Sequence, residues 1–286
     1  TYLQIIRAAV IPAFIYYLAL LLVVHFYSQR IGANPQNEQE TAVQTVPYQG
    51  IVFFLTLGSL IAFLLLGYTV FRAVTLAIVV VLALSMLNGK TRLTWQSLNQ
   101  ALVQTAKGGT PLVVAAATVG IILGVVTLTG IGTKFHSTIL LLAGDNLLFA
   151  LLLIMLGSII LGMGLPSAVC YLLMATLIGP IISGLGIVPL AGHFFIFYFG
   201  IMSMVTPPVA LAAYAAASIA GCNIMQSALA AFRFASVGFT LPFMFVFRPE
   251  LLFLSIDGSD VGWFKPALAT AIVVIGIIPL AAGIAG

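Results

Sequence analysis

Between Gly108 and Met225 the chain carries just two formal charges, Lys134 and Asp145. A stretch that long and that apolar cannot supply the polar shell a water-soluble domain needs. The whole sequence repeats the message, with 62% hydrophobic and 6% charged residues among 286. That composition fits a polytopic membrane protein. Lipid forces every backbone polar group to be satisfied internally, so the fold class is all-α. The net charge of +4 is scattered over loops, which makes it a topology signal and excludes a nucleic-acid surface. Cys170 and Cys222 sit in apolar surroundings without disulfide or metal-ligand spacing.

The hydropathy pattern predicts spans over Ile5–Phe26, Ile51–Leu66, Val74–Leu87, Pro111–Ile131, Met225–Phe247 and Ala267–Ala285. The hydrophilic segment from Tyr27 to Gln49 reads as a solvent-exposed loop. From Asn88 to Gly109, Trp95, Leu98, Leu102 and Ala106 recur at helical spacing against glutamines and Asn99. This predicts an amphipathic helix lying along the membrane interface. Lys90, Arg92 and Lys107 cluster there and suggest a cytoplasmic loop. Asp145-Asn146 reads as a helix cap. The chain begins without Met or a signal-peptide layout, which leads to the expectation of a piece of a longer protein.

Two interruptions break the apolar pattern. The first is Gly162-Met163-Gly164-Leu165-Pro166-Ser167, and the second is Thr206-Pro207-Pro208. The runs on either side of the first, Leu147–Leu161 and Ala168–Ile182, are each about 15 residues, or roughly 22 Å of helix, against a hydrocarbon core of about 30 Å. Two short helices meeting at an uncharged Gly/Pro tip predict a re-entrant hairpin. The second interruption separates the short helix Pro189–Val205 from Pro208–Ala220, which predicts a discontinuous helix. Paired breaks of this kind point to an ion and substrate site near the bilayer midplane.

The missing carboxylates limit the chemistry of such a site to backbone groups and hydroxyls. Helices ending near Gly162 and Val205 leave carbonyls for a small cation. Helices starting near Ser167 and Pro208 leave amides for an anionic group. Thr206 stands where an N-cap is expected, and Ser167 and Ser203 add hydroxyls. His193 either relays protons or packs as an ordinary histidine. Arg233 falls inside a predicted span, where a charge costs about 2.5 kcal/mol or more unless it is paired or near the helix end. The end-of-helix position is the expectation. Ser167 with His193 does not make a protease, because the Gly-x-Ser-x-Gly pattern and an intramembrane aspartate pair are both absent. A channel remains an alternative, since broken helices also line pores.

The strings GVVTLTGIGTKF (124–135), LGMGLPSAVCYLL (161–173), HFFIFYFGIMSMVTPPVALAAYAAASIAG (193–221) and AFRFASVGFTLPFMFVFRPELL (231–252) resemble the large permease of TRAP transporters. IRAAVIPAFIYYLALLLVVHF (6–26) is similar to the segment that follows the first repeat's broken helix. In detail the chain resembles the C-terminal portion of the fused permease of the TAXI type. That resemblance implies an ion-transporter-superfamily elevator with inverted repeats, each holding a hairpin and a discontinuous helix. It implies import of organic acids such as dicarboxylates or amino acids across a bacterial inner membrane, without a cofactor, driven by sodium or protons. It also implies a periplasmic TAXI-type solute-binding protein as partner, together with the rest of the permease and membrane lipids. By residue match, Gly162, Gly164, Pro166 and Ser167 would form the hairpin tip. Ser203, Thr206, Pro207 and Pro208 would form the helix break, with sodium expected at Gly162, Ser167 and Thr206. The expected layout is a scaffold over 1–107, a transport core over 108–221 and C-terminal helices over 222–286, with about eight spans.

Overall fold

The computed structural model describes residues 2–32, 47–87, 94–144 and 146–285. Among them the regular elements are all helices, and an isolated bridge between Leu254 and Asp260 is the one β feature. Lys90, Arg92 and Asp145, named above, and most of the expected loop from Tyr27 to Gln49 lie outside the described residues.

One compact unit comprises residues 1–7 and 34–110. Its helices α2 (Pro47–Leu65) and α3 (Val70–Met86) pack on each other. Gly67, at φ +85°, turns the chain between them. Ala73, Ala77 and Ser85 share one face of α3 and are buried. The other faces present bulky apolar side chains such as Phe53, Phe54 and Phe71 outward, as lipid contact requires.

The second unit comprises residues 8–33 and 111–286. In α1 (Tyr2–Arg30) the residues Ala8, Pro12, Ile15, Ala19 and Val23 form one buried stripe at helical spacing. The expected amphipathic helix and the span after it are one element, α4 (Trp95–Thr129). Gly108-Gly109 and Pro111 do not stop it, so no separate interfacial helix forms. Gly130, at φ +66°, ends α4, and the helix α5 (Ile131–Ala143) follows. Lys134 lies inside α5.

Met225–Phe247, read as a single span, is a bent pair. Helix α11 (Ile224–Ala235) and the segment from Gly238 through α12 (Leu241–Phe247) meet at 49°. The hydroxyls of Ser236 and Thr240 donate to the carbonyls of Arg233 and Val237, which also accept the amides of the same two residues. Tyr198 donates to the Gly238 carbonyl at 2.9 Å. A Cβ on Gly238 would come within 2.9 Å of that hydroxyl and 3.0 Å of the Tyr16 ring. No Pro-Pro or Gly-Gly signal marks this break, which is why the sequence hides it. Arg233 occupies the last turn of α11 as expected, and its Nε and Nη2 donate to the Ile284 carbonyl at the end of α13 (Phe264–Ala285). It therefore meets backbone there, not an acidic side chain.

Among the described residues, α1 and α13 are each long and apolar enough to cross a membrane, and the α11–α12 pair makes a third. The other apolar helical segments, among them Gly50–Leu65 of α2 and Ala116–Thr129 of α4, run 10–17 residues.

Candidate ion and substrate site

Three elements build the site. Helix α6 (Leu147–Gly162) starts at Asn146, whose side chain accepts the Phe149 amide at 3.0 Å, so the predicted cap is present. It ends at Gly162. Gly164, at φ +77°, then turns the chain, and α7 (Ser167–Leu177) begins directly after Pro166. Only glycine adopts that φ without a steric penalty. Ala168–Ile182 was expected as one run, but it divides at Ile178 into α7 and the short α8 (Gly179–Gly184). The third element is α9 (Pro189–Met202). α6 and α7 pack on each other and both pack on α9.

Glycines set how close these helices come. A Cβ on Gly162 would lie 2.7 Å from the Gly200 carbonyl oxygen and 3.0 Å from the Gly200 Cα. A Cβ on Gly200 would lie 2.6 Å from the Cys170 sulfur. So α6 and α9 meet backbone to backbone at Gly162 and Gly200, with the Cys170 sulfur of α7 packed against both, the close approach that small residues permit in lipid. The hairpin tip and the end of α9 are therefore neighbours, although 38 residues separate Gly162 from Gly200.

A 3-10 turn (Ser203–Val205) continues α9, and α10 (Leu211–Ala220) starts later than the sequence suggests. The Pro207-Pro208 peptide is cis. Here the structure corrects the reading of Thr206. Its hydroxyl does not cap α10, because Ala210 holds the N-cap position. Instead Thr206 donates to the Met202 carbonyl at 2.7 Å, and Ser203 donates to the Gly200 carbonyl at 2.6 Å. Both hydroxyls finish α9, and both residues are buried. The Tyr214 hydroxyl donates to the Pro208 carbonyl and ties α10 to the break.

The N-termini facing the breaks carry no side-chain cap. Neither Pro166 nor Ala210 supplies one, whereas Asn146 and Asn223 cap α6 and α11. Uncapped first-turn amides are donors for an anionic group. Ser167 opens α7 and is exposed, as are Gly164 and Pro208, while Pro166 and Pro207 are partly buried. Gly162 and Thr206 thus line the interior, and Ser167 lies on the outer side of the tip.

Sequence reasoning missed one residue. Ser158, one turn before Gly162 on α6, is fully buried, and its hydroxyl has no partner. Its signal was a lone hydroxyl inside the run Leu156–Leu161. Removing a buried unpartnered hydroxyl deletes a desolvation cost of about 1–3 kcal/mol. Ser158→Ala is therefore expected to hold or raise the unfolding temperature of the detergent-solubilised protein. His193 is half-buried and bonded to Tyr171. Among the described residues no group of three or more His, Cys, Asp or Glu could hold a metal ion.

Broken helices without carboxylates are transporter architecture, and the comparison with known families agrees. A family model described as "Tripartite ATP-independent periplasmic transporter, DctM component" matches residues 1–257. The chain belongs to the DctM family. No curated protein and no solved structure matches it. As a DctM-family protein it is a membrane-embedded permease component of a TRAP transporter and not an enzyme. Membership also implies a periplasmic binding protein as partner and a transported substrate.

Proposed function

We propose that this DctM-family permease is of the TAXI type and imports organic acids, such as C4-dicarboxylates or amino acids, by symport across a bacterial inner membrane. A sodium or proton gradient drives it, and a periplasmic TAXI-type protein delivers the substrate. The observation that carries this reading is the backbone contact of Gly162 with Gly200, which sets the hairpin tip beside the end of α9. Two sets of helix-end carbonyls then flank one place, and two uncapped helix N-termini adjoin it. Carbonyl ends suit a cation and amide ends suit a carboxylate substrate.

In this reading Gly162, Ser167 and Thr206 surround the coupling ion. Ser167 would reach it only as the tip closes, since it is exposed in the state described. Residues 108–221 act as the moving core, residues 1–107 as scaffold and residues 222–286 as C-terminal helices. The compact unit of residues 1–7 and 34–110 ends near the first of these boundaries, whereas residues 8–33 belong to the unit that holds residues 111–286.

The test is uptake of labelled dicarboxylates and amino acids into proteoliposomes, with and without the binding protein, under a sodium or a proton gradient. Saturable uptake that needs the binding protein and one gradient is expected. Uptake indifferent to both would mean a channel. No uptake under any condition would leave the chain a scaffold.

A further inference from the structure

Two arginines converge on the end of one helix. Arg30, in the last turn of α1, donates from Nη1 to the Ala285 carbonyl at 3.0 Å. Arg233, in the last turn of α11, donates from Nε and Nη2 to the Ile284 carbonyl at 2.9 and 2.6 Å. The two acceptors belong to successive residues of α13, whose Cα atoms stand about 3.8 Å apart. The guanidinium groups are therefore close neighbours. Beside them the rings of Tyr27 and Phe234, with centroids 4.9 Å apart, join α1 to α11.

Helix-end carbonyls attract cations, and one arginine is enough to cap α13. Two leave an excess of charge. The carbonyl end of a helix amounts to about half a negative charge, against two full positive ones. α1, α11 and α13 contain no Asp or Glu to make up the difference. Both arginines are exposed. Arg30 commits one of its five N–H donors and Arg233 two, so most of each guanidinium fork stays open to a ligand. The surroundings say which kind. Leu21 and Val24 of α1, and Ile278 and Leu280 of α13, lie exposed within three turns of the arginines or of their acceptors. A free anion would meet only the charges there. A phospholipid would meet both the charges and the apolar surface.

The geometry points to a site for the phosphate of an anionic phospholipid at the junction of α1, α11 and α13, held by Arg30 and Arg233. The phosphate oxygens accept the open N–H donors of both guanidinium groups, a pairing for which the planar fork is suited. The acyl chains lie along the exposed apolar faces of α1 and α13. Bound phosphate offsets the repulsion between the two arginines and so ties the end of α13 to α1 and α11. Basic sites between membrane helices hold lipid head groups by the same chemistry. The site is independent of what the permease carries.

The test titrates the purified protein in neutral detergent with phosphatidylglycerol, phosphatidylcholine or inorganic phosphate, and reads bound lipid by native mass spectrometry. Phosphatidylglycerol is expected to bind about tenfold tighter than phosphatidylcholine, and inorganic phosphate is expected not to displace it. Arg30→Gln with Arg233→Gln should abolish that preference, whereas Arg248→Gln, at an exposed arginine outside the junction, should leave it intact. Unfolding temperature separates a lipid site from a helix cap. A lost cap lowers the lipid-free value, and a lost site lowers the further rise that phosphatidylglycerol gives. A double variant that gains as much from phosphatidylglycerol as the wild type overturns the inference, because the arginines then only cap α13. Equal binding of the two lipids, or displacement by inorganic phosphate, overturns it too. Should the double variant fail to fold, the single variants decide. Each is expected to weaken phosphatidylglycerol about threefold, and wild-type binding in either one overturns the shared site.

Discussion

Gly162→Ala is expected to cost about 1–3 kcal/mol of stability, the range for forcing a methyl into a packed interior, and to abolish uptake. The added Cβ would sit 2.7 Å from a backbone oxygen, that of Gly200, so no rotamer change can relieve it. α6 and α9 must move apart, and the hairpin tip moves with α6. Gly200→Ala makes a contrast, because its nearest clash is the Cys170 sulfur at 2.6 Å. Adding Cys170→Ala should recover much of the loss in Gly200→Ala and little of the loss in Gly162→Ala. Gly164→Ala has open space around it and carries only the strain of φ +77°, about 1–2 kcal/mol. Thermal unfolding in detergent, read beside uptake, separates these cases. If Cys170→Ala rescues both glycine variants equally, the backbone contact of α6 with α9 is not what holds the tip.

Those variants also show where the sequence was legible. Gly and Pro in an apolar run disturb backbone, and backbone breaks are local, so Gly162–Ser167 and Thr206–Pro208 could be located from spacing alone. Asn146 as a cap and Arg233 in a last turn are equally local properties. What could not be read was pairing. Nothing in the sequence says that Gly162 faces Gly200, because that contact depends on how three helices pack. The bend at Val237-Gly238 was hidden for the same reason. Ser236, Thr240 and the distant Tyr198 add hydroxyl donors to its carbonyls, and only the last shows that the bend is built in. Hydroxyl roles were the weakest part. Thr206 before a Pro-Pro pair looks like an N-cap, yet its side chain turns back to Met202 because α10 does not begin until Leu211. Ser158 was invisible as a candidate because a serine inside a membrane helix ordinarily bonds its own backbone.

Thr206→Val is the substitution expected to separate ion binding from folding. It keeps the branched shape and deletes the hydroxyl that serves the Met202 carbonyl. Thr206 is 9% exposed, so that carbonyl loses its side-chain donor in an apolar setting, at about 1 kcal/mol. If the same hydroxyl also offers its oxygen to the coupling ion, the half-saturating cation concentration should rise about tenfold, equivalent to about 1.4 kcal/mol. Both effects can be read on the purified protein. The cation-free unfolding temperature reports the lost cap. The further rise on adding sodium reports binding, since a ligand stabilises only the state that holds it. Thr206→Ser should restore both. A variant that is less stable but gains as much from sodium as the wild type would show that Thr206 ends α9 and nothing more. In that case the ion would have to rest on the carbonyls of the hairpin tip at Gly162.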